Sequence, residues 1–498
     1  MHLFEIDIMH NFIYTASYKT INMKQEFKER EPDMLNTDIK HWVKQNKKEI
    51  IADFANLIKI KSIAVQEQES LHPFGDGCAK ALDYVLALSE RFGLETKNLD
   101  YRCGYAQLSG TTDRIIGIFV HIDTSAVSDM WLNDPFELYK RGEYLIGCGA
   151  EDNKGAAISM IYLLRLLKES AQKLTHSIRL VFGCSKKLFM EDVEYYLEKE
   201  KTPDLSLVPD SFYPVCTSEK GSANFELTTS FKDDIILDLR AGQAANMVPD
   251  SAFAMLKHVS FSDVSEMFLE LPGYSVIKAG LYVKVGLHSK GSHAAYPIPY
   301  GSPIYLLTSA LLKNGLVKEE RTVLESLAEL YGPVYGEPYK LDNCIDPSFR
   351  VTHICGVLGI TSEHVMRQVI NVRYPMEYTP EDVIKNVIEV SRKHGFDCRL
   401  LSNSPPSTID PLPNSIAPLL TSIANRHLGT SLKPFTSGGV SYAHVIPNSI
   451  PFGTNRFDVP LPPELGRGHT ANEAIREQEL TDAIEIYFDT ITYIDAII

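Results

Sequence analysis

The chain has 498 residues, 44% hydrophobic and 23% charged, a composition that suits a soluble globular protein and a length that exceeds one hydrophobic core. A formal net charge of −15 with no long basic run excludes a phosphate-tracking surface, and with it nucleic acid as a partner. The eight cysteines are scattered with no CxxC pair and no apolar run reaches about 18 residues, which excludes a disulfide framework, a thiolate zinc site and a membrane-spanning helix.

Residues 1–22 mix apolar side chains with His2, Glu5, Asp7 and His10, so they do not read as a secretory leader. Reduced thiols and the absence of such a leader point to a cytoplasmic protein. Residues 1–39 read as an N-terminal extension, with Met1, Met23 and Met34 all open as starts. From about Lys40 helical and strand periods alternate. IIADFANLIKIKS (50–62) and CAKALDYVLALSERFG (78–93) carry the helical period, while IIGIFVH (115–121) is a short apolar run of buried-strand type. KGAAISMIYLLRLLKES (154–170) is a long buried helix, and SIRLVFG (177–183), MEDVEYYLEKE (190–200) and DLSLVPD (204–210) continue as strand, helix and strand. This alternation predicts an α/β fold with a largely parallel sheet covered on both faces.

After Gly221 the character changes. ANFELTTSF (223–231), KDDIILDLRAG (232–242), GLYVKVGLH (280–288) and QVINVRYP (368–375) read as longer alternating strands, which predicts an inserted α+β domain. SNSPPSTIDPLP (402–413) has the composition of a linker. SIAPLLTSIANRHLG (415–429) and NEAIREQELTDAIEIYFDTITYI (472–494) return to buried-helix patterning. The expected divisions are the extension at 1–39, a discontinuous α/β domain at 40–220 and 411–498, and an insert at 221–410.

Four polar clusters stand at the ends of apolar runs. His121 closes the 115–121 segment, and Asp123 follows at a spacing that lets a carboxylate hold an imidazole in one tautomer. Taken alone, a histidine at a strand end is most often a polar terminus. Asp152 in GCGAEDNKG (147–155) reads in isolation as a helix N-cap, Asp210 follows a buried strand, and His469 lies in GRGHTANEA (466–474) before the last helix. Two histidines and several carboxylates at one edge of one sheet are a ligand mixture that zinc accepts.

The segments FVHIDTS, DPFE, GCGAEDNKGAA, SLVPDSFYPVCTSEKG, NMVPD, GSHAAYP, INVRYP, TSGGVSYAH and GHTANEA occur in an order that resembles the aminoacylase/carboxypeptidase-G superfamily of di-zinc metallopeptidases. Within it the likeness is to the dipeptidase V (Xaa-His dipeptidase-like) branch, over roughly residues 40–495. The resemblance implies a zinc-exopeptidase α/β catalytic domain at 40–220 and 411–498, with 221–410 as a lid over a dipeptide or short peptide-like ligand. It implies that His121, Asp152 and Asp210 hold one zinc, with Asp152 bridging, and that His469 holds a second. Asp123 then orients His121, and His293 polarises the scissile carbonyl. Asn246, Arg373, Gly438 and Gly439 bind substrate, Arg373 matching a free carboxylate through its planar fork.

One stretch departs from the resemblance. Where the family places two adjacent glutamates after the 177–183 strand, one the general base and one a metal ligand, this chain has Lys186 and Lys187. Asn153 replaces the usual acid after the bridging carboxylate, and Ser441, Tyr442 and His444 alter a neighbouring motif. Without the flanking motifs, a lysine pair at a strand–helix junction reads as solvated surface. Facing the site, a lysine about 5 Å from a zinc dication opposes it by about 7 kcal/mol at an effective dielectric of about 20. The expectation is at most one zinc, weakly bound, and a monomeric homologue with impaired hydrolysis that retains ligand binding. Two alternatives stand beside it: a one-zinc dipeptidase using a lysine, Glu191 or Asp192 as base, and attack on a carbonyl substrate by a lysine amine such as that of Lys186.

Overall fold

A computed structural model describes residues 33–498 apart from 67–69, 129, 171, 189, 233 and 343–349; residues 1–32 of the expected extension, with Met1 and Met23, lie outside the described residues. Helix Asp33–Ile58 starts well before the 50–62 segment whose period announced it. Both large sheets belong to the compact unit Ala52–Ile498.

The first sheet has six strands, in the order Glu95–Leu99, Cys103–Leu108, Ser177–Gly183, Ile115–His121, Leu205–Val208, Ser449–Pro451. The last four run parallel, and the first two are antiparallel. Every residue of Ile115–His121 and Ser177–Gly183 is buried, Arg179 included, so both faces of the sheet are covered. Helix Glu191–Lys199 sets Val193 and Tyr196 in a cluster with Phe119, Val181 and Val208. Helices Gly155–Glu169 and Glu477–Ile497 pack on one another, their shared stripe including Ser159, whose hydroxyl donates to the Leu480 carbonyl at 3.0 Å.

The second sheet is built wholly from residues 221–404. Its eight strands are antiparallel, in the order Tyr274–Ala279, Tyr282–His288, Ser251–Leu256, Ile236–Ala241, Thr352–Ile360, Val365–Tyr374, Gly221–Ser230, Asp397–Ser404. Gly221–Ser230 alternates buried and half-buried residues, the period of a sheet with one face on a core. That core joins Phe225, Leu239, Val285 and Ile370 to Leu307, Leu327 and Val387 of the helices Pro303–Lys313, Arg321–Tyr331 and Pro380–Lys393.

The chain crosses between the sheets twice, and the crossings are paired. Strand Cys216–Glu219 lies between Ser407–Thr408, antiparallel, and Phe435–Ser437, parallel. The 402–413 stretch is therefore not a free linker. It contributes the end of Asp397–Ser404, the pairing strand Ser407–Thr408, and the start of helix Pro411–Leu428, whose first turn tolerates proline. The last helix starts at Glu477 and not at 472, because Ala474–Arg476 pairs with Tyr144–Ile146 as a strand.

Candidate active site

The parallel strands of the six-stranded sheet end at one edge, where open α/β sheets keep their binding crevice. His121 is the last residue of its strand, Asp210 lies just past Val208, and Lys186 and Lys187 form a short turn of helix after Gly183. Asp152 lies in the segment 150–154 that leads into helix Gly155–Glu169. His469 arrives from the loop before the last helix, beside Gly468, where any side chain would come within 2.7 Å of the Asp152 Cβ.

These residues form one charged network. His121 Nε2 lies 2.8 Å from Asp152 Oδ1 and 3.7 Å from Asp210 Oδ1, and its Nδ1 lies 3.0 Å from the Asp123 carbonyl. Lys187 Nζ donates to Asp152 Oδ2 at 2.6 Å and to His469 Nε2 at 3.0 Å. Lys186 Nζ pairs with Asp210 Oδ2 at 3.0 Å and stands 4.0 Å from Asp152 Oδ1. The Lys187 backbone N–H donates to Asp123 Oδ2 at 2.8 Å, so Asp123 orients the lysine turn as well as the histidine. Both lysines point into the cleft, with only 13% and 10% of their side chains exposed.

The charge states follow from these contacts. Burial and the Lys187 ammonium oppose a proton on His121, yet Asp123 and Asp152 outweigh them and lift its pKa to about 10. Burial also opposes the Lys186 ammonium, but Asp210 and Asp152 displace its pKa upward. Asp123, Asp152 and Asp210 all move down despite burial, each held by neighbouring cations. Burial and Lys187 depress His469 against the pull of Asp152, whose Oδ2 lies 2.8 Å from its Nε2. Three cations thus face three carboxylates.

His293 lies across the cleft with its ring 5.3 Å from that of His469. Burial first, then His469 and Arg373, keep it neutral with a pKa well below the usual imidazole range. Asn246 adjoins the same segment, its carbonyl accepting the Ala294 N–H at 2.9 Å. Arg373 pairs in register with Thr352, whose hydroxyl donates to the Ala294 carbonyl at 2.8 Å. The Arg373 Nε donates to Asn371 Oδ1 at 2.9 Å, and the carboxylate acting on its guanidinium is that of Glu219. Burial lowers its pKa to about 10, which leaves it charged at neutral pH. Gly438 abuts Ala295, whereas the Gly439 amide is taken by Ser437 Oγ at 3.1 Å and is not free for a ligand.

Glu191 and Asp192 are turned away from the cleft. Glu191 accepts from Gln66 at 3.1 Å on the surface. Asp192 is buried with the Tyr442 hydroxyl and the Ser185 and Val193 amides, and burial raises its pKa to about 6. Ser441 and His444 stand at the paired crossings: Ser441 donates to Glu219 at 2.5 Å, and His444 lies 3.2 Å from both Ser404 and Ser407.

Two acids that sequence patterning does not single out support the site. Glu473 accepts the amides of Gly149, Glu151 and Asp152 at 2.8–2.9 Å, fixing the segment that presents Asp152. Its place four residues after His469 in one glycine-rich loop is the only signal available in the sequence. Glu219 is buried at the crossing, and burial lifts its pKa to about 7.

Solved structures share this architecture. Human carnosine dipeptidase 1 aligns with a TM-score of 0.57 at 14% identity, over 94% of this chain and all of that one. An M20 family metallo-carboxypeptidase from Sulfolobus solfataricus aligns with a TM-score of 0.51 at 16% identity, over 90% of this chain and all of its own. By sequence, the chain is 27% identical over 470 residues to a Staphylococcus haemolyticus protein named "Putative dipeptidase", covering 91% of this chain and 98% of that protein. A Staphylococcus aureus (strain USA300) protein of the same name is 28% identical over 468 residues, with the same coverage. Residues 117–493, which carry His121, Asp152, Asp210 and His469 together with the inserted sheet, match Peptidase family M20/M25/M40, and the chain belongs to that family.

Proposed function

We propose that this protein binds short peptide-like ligands in an M20-type cleft whose second metal position is filled by a lysine, and that it hydrolyses them poorly or not at all. One observation carries the reading: the Lys187 ammonium sits 2.6 Å from Asp152 and 3.0 Å from His469, the two residues that would share the second ion. A donor set already bridged by an ammonium does not fit that cation.

The first position fits better. Ligand atoms of His121, Asp152 and Asp210 lie within 4.8 Å of one another, a set that would hold one zinc once His121 gave up its proton. A zinc there would supply Lewis-acid polarisation of a ligand carbonyl. The chain's own residues do the rest of the binding. Arg373 offers its fork to a free carboxylate, neutral His293 donates toward a carbonyl, and Asp123 keeps His121 and the lysine turn in place. A carboxylate base where the family places its glutamate is what the cleft lacks. Lys186 and Lys187 are donors, and Glu191 and Asp192 are turned elsewhere. The upward displacement of Lys186 also argues against a free amine nucleophile.

In this reading residues 221–410 act as the lid, hinged at the paired crossings. The dipeptidase names borne by relatives and by a structural neighbour support the ligand class. No helix among the described residues is long and apolar enough to cross a membrane, and the described cysteines are free, which suits a reducing cytoplasm.

The test is elemental analysis and dipeptide turnover of the wild type beside the Lys186→Glu, Lys187→Glu double variant. The wild type should hold no more than one zinc, and the double variant should gain metal. Robust zinc-dependent hydrolysis by the wild type would refute the proposal.

A further inference from the structure

Beside the cleft lies a group of rings that the charged network does not use. The ring centroids of Phe212, Phe435 and Phe457 stand 5.9–6.4 Å apart, Tyr296 lies 6.2 Å from Phe212, and the Arg467 guanidinium lies 5.9 Å over the Phe212 ring. Their chain positions tie them to the site. Phe212 follows Asp210 by two residues, Tyr296 follows His293 by three, Phe435 precedes Gly438 by three, and Arg467 precedes His469 by two. Four separate segments that each deliver a site residue also deliver a member of one cluster. Steps of two or three residues span at most about 7–10 Å, so the cluster forms a wall of the same cleft.

The wall is open to solvent: Phe457 is 50% and Tyr296 54% exposed. It draws on both sheets' segments, since Tyr296 comes from the insert and meets Ser437 and the Gly438 amide through its hydroxyl. A cage of aromatic rings can take either a cation or an apolar group. Arg467 decides between them. It is fixed by Glu151 at 2.6 Å and by the carbonyls of Arg456 and Val459 at 2.8 and 3.0 Å, so a permanent positive charge already lies over Phe212. The Phe212 face that a cation would need is thus already taken by a guanidinium whose charge Glu151 answers, which leaves the remaining ring surface to an apolar group.

We propose that Phe212, Tyr296, Phe435 and Phe457 form a subsite for an uncharged, bulky apolar side chain, which makes the ligands short peptides carrying an aromatic or large aliphatic residue. This rests on the peptide-binding reading above and narrows it. With the ligand carboxylate on Arg373, the side chain on this wall would contact both halves of the cleft at once.

The experiment is calorimetric titration of the full-length protein with Ala-Phe, Phe-Ala, Ala-Lys and Ala-Ala. It is paired with saturation-transfer NMR of N-acetylphenylalaninamide, which has no free termini. The better phenylalanine peptide should bind about tenfold tighter than Ala-Ala, and Ala-Lys no tighter than Ala-Ala. Phe457→Ser, a change at a half-exposed position, should shrink that ratio to about twofold, and Phe457→Leu should keep part of it. Ala-Ala binding that is lost in Arg373→Gln, without any phenylalanine advantage, overturns the subsite and leaves the peptide-binding reading intact. If no dipeptide binds, that reading falls, and the amide decides the subsite. Ring-proton saturation with wild type but not with Phe457→Ser supports the subsite, and silence with both overturns it.

Discussion

In the proposed reading a single side chain, Lys187, stands in for a metal. Its ammonium meets an acid and an imidazole that would otherwise need a cation, and it is nine-tenths buried while doing so. Removing one partner of a buried pair leaves the other uncompensated, so Lys187→Ala should cost about 3 kcal/mol of unfolding free energy without metal. Added zinc should restore part of that loss, because the variant frees Asp152 and His469 to bind it. Urea denaturation with and without zinc checks both, and an unchanged midpoint would show that the ammonium is not holding the carboxylates. Glu473 makes a second case. Glu473→Ala orphans the amides of Gly149, Glu151 and Asp152, an expected cost on the order of 3 kcal/mol, while Glu473→Gln keeps acceptor oxygen and should cost less in the same assay.

Strand Thr352–Ile360 carries a titratable group inside the second core. His353 is 1% exposed, its Nε2 donating to the Leu330 carbonyl at 2.7 Å and its Nδ1 accepting the Gly336 N–H at 3.2 Å. Burial lowers its pKa from 6.5 to about 4 against the smaller pull of the Leu330 carbonyl and Glu337. Above pH ~6.5 both folded and unfolded forms are neutral, and this group costs nothing. As pH falls toward 4, the unfolded chain takes up a proton that the folded one refuses, and stability drops by roughly 3 kcal/mol over that window. Between pH 7 and pH 4.5 the wild-type urea midpoint should therefore fall relative to that of His353→Gln, since buried acids with raised pKa values, such as Glu219 and Asp192, act alike in both proteins. A slope unchanged by that substitution would place the acid sensitivity elsewhere.

The insert touches the segment after Phe435–Ser437 where Gly438 meets Ala295, and the contact has no slack. A Cβ on Gly438 would lie 2.7 Å from the Ala295 Cβ and 3.1 Å from its Cα, whereas one on Gly439 meets only Ser437 Oγ at 3.8 Å. Gly438→Ala should push the 292–296 segment off the six-stranded side and speed its amide exchange, while Gly439→Ala should not; mass-spectrometric hydrogen exchange compares them. At this scale sequence and structure agree unevenly, for physical reasons. Ile115–His121 and Ser177–Gly183 are readable to the residue because largely apolar runs, the second carrying Arg179, stop at polar or glycine positions. Of the site residues, His121 and Asp210 are readable because each stands at or just past the end of such a run, whereas Asp152 and His469 are readable only through the order of the motifs that carry them. Ser407–Thr408 and Ala474–Arg476 are not, because their strand character comes from partners far away in the chain, at Ser218–Glu219 and Tyr144–Ile146. Glu473 and Glu219 escape notice for a similar reason: a lone acid has no period, and its partners are backbone amides or side chains of other segments.

The pairing of Ser407 with Glu219 also bears on the order in which the chain is made. All eight strands of the second sheet leave the ribosome between residues 221 and 404, whereas the first sheet still lacks Ser449–Pro451 and its packing helix Glu477–Ile497 at that point. The later part of the sequence is thus complete in its partners first, and the earlier strands must wait, with their apolar runs uncovered, for the final ninety or so residues. Because the two crossings already lie side by side, the finished insert holds the waiting ends together as a short turn would, and reduces the loop that the last segment has to close.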